Sequence, residues 1–309
     1  MHKVLTAAQM RRVDRLTTER YGIPSLILME NAAHAVARVI TDKLGGSVKD
    51  KSILILCGKG NNGGDGAALA RILWTQGAYV QIILLGTLKE TNGDARENLE
   101  ICLALVRENE DRISLREIDN PFELWSLLSS QPNYGWDCLV DALFGTGLTR
   151  PLEDPLAEVI ESINHRQYLA ENCLIVSVDI PSGLESDSAE LIGAPFDADI
   201  TVAFTAPKIA NILPPSSNWN GELMVSAIGS PDELIEEQES QIFLAEDCDA
   251  AAWLTNSEFY TDSYKNKRGH ALVIAGSETY SGAAVLSSNS AIRSGVGLVT
   301  LACPAEAKT

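Results

Sequence analysis

No apolar run in the 309 residues approaches the roughly 18 that span a bilayer. Met1 to Gly22 is polar and helical in pattern, without the apolar core of a secretion signal. Cysteine is scattered: Cys57, Cys102, Cys138, Cys173, Cys248 and Cys303 form no C-x-x-C pair, and the four histidines are dispersed, so no zinc site is indicated. Positive charge is short. Lys and Arg number 24 against 42 Asp and Glu, and the net charge of -18 repels nucleic acid and anionic membranes. These absences point to a reducing cytoplasm, with neither nucleic acid nor membrane as partner. A small phosphate-bearing ligand stays open, because a loop of backbone N–H donors acts locally against a distant field.

What is present centres on Ser52 to Trp74. Ile53 to Cys57 is an unbroken apolar run, as expected of a strand buried on both faces of a parallel sheet. Ala67 to Trp74 has helical composition, with Leu69, Ile72 and Leu73 on one face. Between them lie Gly58, Gly60, Gly63, Gly64 and Gly66, with Asn61, Asn62 and Asp65. A strand, a glycine-rich turn and a helix N-terminus make an anion site, since free N–H groups and the helix dipole face the loop. Glycines there permit left-handed angles and close approach of a ligand. The bland alternative is a structural turn with Asp65 as a cap.

Two common nucleotide motifs fail. Gly58, Gly60 and Gly63 match G-x-G-x-x-G, but the second strand, Tyr79 to Leu85, ends without the acid that would hold a ribose. No Lys-Ser or Lys-Thr follows the glycines, so the Walker pattern is absent too. Asp65 at the helix start would repel a phosphate, yet suits a sugar or a reacting centre.

Along the chain, Thr6 is an N-cap for a helix with Met10, Val13 and Leu16 inward and Arg11, Asp14 and Arg15 on its polar side. Pro24 opens a second helix, Leu26 to Leu44, whose Glu30 and Asn31 are either exposed or brace the loop from beneath. Alternating helices and strands follow, which implies a doubly covered parallel sheet. The strand Cys138 to Asp141 ends in an acid, before Gly145, Thr146, Gly147, Leu148, Thr149, Arg150 and Pro151; Arg150 is a natural partner for phosphate. Leu174 to Asp179 also ends in an acid, before Ile180, Pro181, Ser182 and Gly183. Ligands of open α/β sheets bind beyond the carboxyl ends of strands, so Asp65, Asp141 and Asp179 are expected to converge in a site. Lys208, after the strand Thr201 to Phe204, either pairs with Asp179 or holds an anion. Asp232 to Glu239 reads as a solvated helix and linker, and from Gly269 a second strand–glycine turn–helix–strand unit begins.

The glycine loop 58–66, the turn Asp141-Ala-Leu-Phe-Gly-Thr-Gly-Leu and the turn Ser177-Val-Asp-Ile-Pro-Ser-Gly-Leu, in this order, resemble the NAD(P)H-hydrate epimerase family, the YjeF N-terminal domain. Leu28-Met-Glu-Asn-Ala-Ala33, Gln9, Arg12, Asp14 and Lys208 also fit it, although Ile209-Ala210 stands where the family more often has a glycine. Lys267-Arg-Gly-His to Pro304 resembles the start of a ribokinase-like, ADP- or ATP-dependent NAD(P)H-hydrate dehydratase, as in bifunctional repair enzymes.

The resemblance implies a Rossmann-like three-layer α/β/α domain over 1–240 with a mostly parallel sheet. The start of an α/β ribokinase-like domain would follow over 241–309, too short to bury its own core or to dehydrate. It implies that hydrated NAD(P)H lies against Asn61, Asn62, Gly63, Gly64 and Asp65, against 145–151, and against Asp179. A potassium ion would sit on Asn62, Asp141 and Ser182, oxygen donors that suit a hard cation. A homodimer is expected of the family, and ADP or ATP only of the dehydratase part. The implied reaction inverts a ring carbon carrying a hydroxyl beside the ring nitrogen. It calls for an acid/base group near the ring, with Asp179 the first choice, Asp65 the second and Lys208 assisting. Two rival readings are a non-catalytic nucleotide-binding or RNA-associated scaffold on the same fold, and a Rossmann dehydrogenase.

Overall fold

The computed structural model describes residues 1–129, 135–167 and 169–307, in two units, His2–Leu244 and Ala245–Thr309 with Met1. In the larger unit the apolar runs form seven strands: β1 Ser52–Cys57, β2 Tyr79–Leu85, β3 Ile113–Ile118, β4 Cys138–Ala142, β5 Leu174–Val178, β6 Ile200–Phe204 and β7 Glu222–Ser226. They make one sheet in the order β3-β2-β1-β4-β5-β6-β7, every pair parallel. A separate antiparallel pair, His2–Lys3 with Phe243–Leu244, ties the two ends of this unit together.

Alternation along each strand builds the layers. Ile53, Ile55 and Cys57 of β1 join a core shared with α2 (Ser25–Lys43), α3 (Asn61–Thr75) and α4 (Gly93–Glu108). Leu54 and Leu56 face the opposite core, closed by α5 (Pro121–Ser129) and α6 (Leu156–Asn164). The preceding helix α1 (Ala7–Tyr21) starts with the predicted Thr6 cap, whose hydroxyl accepts from the Gln9 amide. It packs Met10 and Val13 against Ala206 and Leu234. Cys57, Cys102, Cys138 and Cys173 are buried, and burial pushes the last three and Cys57 away from the reactive thiolate.

The strand order reverses between β1 and β4, so the loops leaving their carboxyl ends diverge and open a crevice there. In the smaller unit α7 (Asp247–Asn256) is followed by β8 (His270–Ile274), α8 (Gly282–Arg293) and β9 (Leu298–Ala302), with β8 and β9 parallel. Leu272, Ile274, Leu298 and Leu301 on this two-stranded sheet remain exposed. Among the described residues no helix is long and apolar enough to cross a membrane.

Candidate active site

The crevice at the strand-order reversal is a cleft of about 650 Å³, within the range of small-molecule sites. Its first wall is the loop after β1. α3 begins at Asn61, not at Ala67, so Asn61, Asn62, Gly63, Gly64 and Asp65 form the first turns of the helix. Tertiary packing overrides the poor helix propensity of asparagine and glycine here. None of the loop glycines takes a left-handed angle, contrary to the expectation from the sequence. Their role is close approach: a Cβ on Gly63 would lie 1.8 Å from the Gly58 carbonyl oxygen, and one on Gly58 1.8 Å from that of Leu143. Gly60 alone has open space and lines the cleft. Glu30 pairs with Arg71 in the body of α3, beyond the loop itself, while Asn31 donates to the Ile228 carbonyl at 2.7 Å.

The second wall gathers charge. Asp179 follows β5 with φ of +65°, a left-handed angle that aspartate tolerates better than most residues. Its Oδ1 accepts from the Phe204 amide at 3.0 Å and from the Lys208 ammonium. Lys208 is fully buried, and its Nζ also donates to the Phe204 carbonyl at 3.2 Å. The Lys208 backbone is held by Asn211 Oδ1 at 2.8 Å, and Asn211 in turn donates to Asn220 Oδ1 at 2.9 Å. Asn220 closes the chain by donating to the Ala210 carbonyl. This buried amide relay fixes the lysine on Asp179, and tertiary contacts of this kind leave no trace in local sequence patterns.

Two further carboxyls face this pair. Asp65 lines the cleft and its carboxyl makes no hydrogen bond among the described residues; burial first, then the charges of Asp179 and Asp14, raise it well above the usual carboxylate range. Asp14 is pushed up to about 6, by burial first and then by Asp179, with Lys208 opposing. Asp14 was expected on the polar side of α1, yet it is part-buried, lines the cleft, and has an Oδ1 without a partner. The signal was its spacing: Met10 and Asp14 stand four apart on one helix face. Two carboxyls that resist ionisation beside one ion pair suit proton transfer at neutral pH.

Asp141 does not belong to that wall. It is one residue short of the end of β4, pairs in register with Ser177, and is completely buried beneath the cleft. It accepts from the Ser182 hydroxyl at 2.5 Å, the Ser182 amide at 2.8 Å and the Ser177 hydroxyl at 2.9 Å. Burial still holds it up near 6. Ser182 Oγ also accepts from the Phe144 amide, and Asn62 donates to the Phe144 carbonyl at 2.9 Å. Asn62 and Ser182 therefore meet on the Phe144 carbonyl, Asp141 holds Ser182 from beneath, and among the described residues no cationic side chain pairs with Asp141. A buried carboxylate without a paired cationic side chain, with a side-chain amide, a hydroxyl and a backbone carbonyl close by, offers oxygen ligands of the kind that suit a hard cation.

Of the sequence-predicted ligand residues, Asn61, Asn62, Asp65, Gly145, Thr146, Gly147, Leu148, Arg150 and Asp179 line the cleft. Gly63 and Gly64 lie behind it, packed on Gly58 and on Ala95 and Met29. Thr149 and Pro151 are exposed and are not part of its lining. The sequence reading missed Asp14, Arg11 and Lys59 as lining residues; Lys59 pairs there with Glu90 at 2.8 Å.

Comparison with known proteins agrees with this architecture. A protein of Moorella thermoacetica called bifunctional NAD(P)H-hydrate repair enzyme Nnr is 37% identical over 97% of this chain and 54% of its own length. The chain thus spans about half the length of the first such relatives. A Rhodopirellula baltica protein called NAD(P)H-hydrate epimerase is 34% identical over 75% of this chain and 87% of its own. The crystal structure of yeast ynu0 (YNL200c) superposes with a TM-score of 0.60 at 24% identity, over 80% of this chain and 98% of the other. The NAD(P)H-hydrate dehydratase family matches residues 271–309. The YjeF-related protein N-terminus family matches residues 25–210, which carry the glycine loop, both acid-bearing turns and Lys208, and the chain belongs to that family.

Proposed function

We propose that residues 1–244 epimerise hydrated NAD(P)H, interconverting its R and S forms. The observation that carries this reading is the meeting, in one cleft, of a helix N-terminus able to take a pyrophosphate with the Asp65, Asp179 and Lys208 group. The hydrate bears a hydroxyl on the ring carbon beside the ring nitrogen. Protonation expels it as water, the nitrogen lone pair stabilises the resulting cation, and water returns to either face. Asp65, raised and with no hydrogen bond to its carboxyl among the described residues, is better suited than Asp179 to give the proton. Asp179, held by Lys208 and the Phe204 amide, supplies negative charge toward the cationic ring.

Asn62, Asp141 and Ser182 would hold a potassium ion, which when bound neutralises Asp141 and stiffens the turns that carry Phe144 and Ser182. We assign the ADP- or ATP-dependent dehydration to the dehydratase-like unit of the bifunctional relatives and not to this cleft. The name of the Rhodopirellula relative, which this chain covers over most of its length, supports the epimerase reading.

The test takes the purified R hydrate of NADH in potassium buffer at neutral pH and follows the S form by chromatography against an enzyme-free control. Accelerated inversion, lowered at least ~100-fold in Asp179→Asn, is the expected result. Binding without acceleration would favour a nucleotide-binding scaffold and remove the epimerase reading.

A further inference from the structure

Inversion at the ring carbon, on the reading above, needs proton chemistry on both faces of the ring: the hydroxyl departs from one and water arrives at the other. We propose that Asp14 and Asp65 are the two carboxyl groups of this reaction, acting from opposite sides of the reacting ring. Asp65 enters from the β1 side on α3, whereas Asp14 enters from α1, which packs over Ala206 at the end of β6. Asp179 and Lys208 stand between these two approaches, after β5 and β6.

Structural roles do not account for Asp14. It lies in mid-helix, and the N-terminus of α1 is already satisfied by the reciprocal Thr6–Gln9 cap. Its Oδ1 is buried and has no partner, an arrangement that costs stability unless a ligand supplies the missing contact. The charged groups toward it are Asp179, Lys208 and Asp65, with Arg11 lining the same cleft from its own helix. Three acids of the short helix Asp232–Glu236 and its end are engaged elsewhere: Glu236 with Lys3, Glu237 with Arg20 and Glu233 with Tyr21.

The step balances. Protonated Asp65 gives its proton to the ring hydroxyl, and the carbon–oxygen bond breaks with its electron pair leaving in water. The nitrogen lone pair forms the carbon–nitrogen double bond. A water on the other face then adds, its oxygen pair making the new carbon–oxygen bond while the double-bond pair returns to nitrogen. Its proton passes to ionised Asp14. The enzyme is left with Asp14 protonated and Asp65 ionised, the form that runs the reverse inversion, and proton exchange with solvent restores the first form.

The test uses the full chain and each separated NADH hydrate in H2¹⁸O. It reads inversion by chromatography and label uptake into the recovered starting epimer by mass, both corrected for an enzyme-free control. The wild type is expected to do both. Asp14→Asn is expected to lose inversion at least ~100-fold yet still to label one starting epimer, because Asp65 can expel and return water on its own face. Asp65→Asn is expected to label the other epimer, and Asp14→Glu to restore part of the inversion. Asp14→Asn inverting within about threefold of wild type would overturn the pair, as would its loss of labelling for both epimers while it still unfolds cooperatively at or above the wild-type temperature. A wild type that inverts nothing would remove the epimerase reading itself, and this pair with it.

Discussion

Asp14 carries a stability consequence separate from turnover. Its carboxyl is held up to about 6 in the folded chain against an ordinary value of 3.8, with burial the largest cause. Between those two values the folded state binds more protons than the unfolded one, so stability falls as pH rises through that window. Above about pH 6 the folded chain carries the full cost of a desolvated carboxylate; below 3.8 both states are protonated and the cost vanishes. Asp14→Asn is therefore expected to unfold at a higher temperature than wild type at pH 7.5, with the gain shrinking toward zero by pH 4. Melting curves of the two proteins across that range check it, and a pH-independent difference would contradict it. Asp141 behaves oppositely on truncation. Its oxygens serve the Ser177 and Ser182 hydroxyls and two backbone amides, all buried. Asp141→Ala orphans those donors, and a loss of about 2–4 kcal/mol in urea unfolding is expected.

At the level of elements, the glycine loop separates packing from binding. Gly63→Ala drives a Cβ into the Gly58 carbonyl, and backbone cannot yield as a flexible side chain does, so about 3 kcal/mol or more of stability should be lost. Gly60, extended with φ of -94° and open space before it, tolerates alanine to within about 1 kcal/mol. Its effect should appear instead in KM, because the new methyl enters the cleft that Gly60 lines. Paired urea and kinetic measurements distinguish the two. The same loop shows what sequence patterns convey. The central strands Ile53–Cys57, Cys138–Asp141 and Leu174–Asp179 were legible because both faces of the sheet are covered, so each is an apolar run and Asp179 stands out at an end. The start of α3 was not, since Asn61 to Gly64 are poor helix formers held in place by Met29, Ala95 and Gly58. Asp141 was visible as an acid at a strand end, but its depth beneath the cleft follows from Ser177 and Ser182 closing over it. Asn211 and Asn220 are ordinary loop residues until the fold sets them behind Lys208.

For the molecule as a whole, every residue lining the cleft lies between Met10 and Ile228, inside the unit His2–Leu244. That unit closes on itself: Lys3 pairs in register with Phe243, and the Val4 amide donates to the Ile242 carbonyl at 2.9 Å. Among the described residues, its two hydrophobic cores, one on each face of the sheet, are built from residues 28–228. The Rhodopirellula relative matches this chain over 75% of its residues, which is close to the share this unit represents. A protein ending after Leu244 should therefore fold by itself, unfold in a single cooperative transition and retain the kcat and KM of the 309-residue chain for hydrate inversion. The exposed Leu272, Ile274, Leu298 and Leu301 would be gone, so the shorter protein should also stay monodisperse to higher concentration in light scattering. Loss of inversion in a cooperatively folded 1–244 protein would mean that residues beyond Leu244 complete the site, and the assignment of the reaction to this cleft alone would fall.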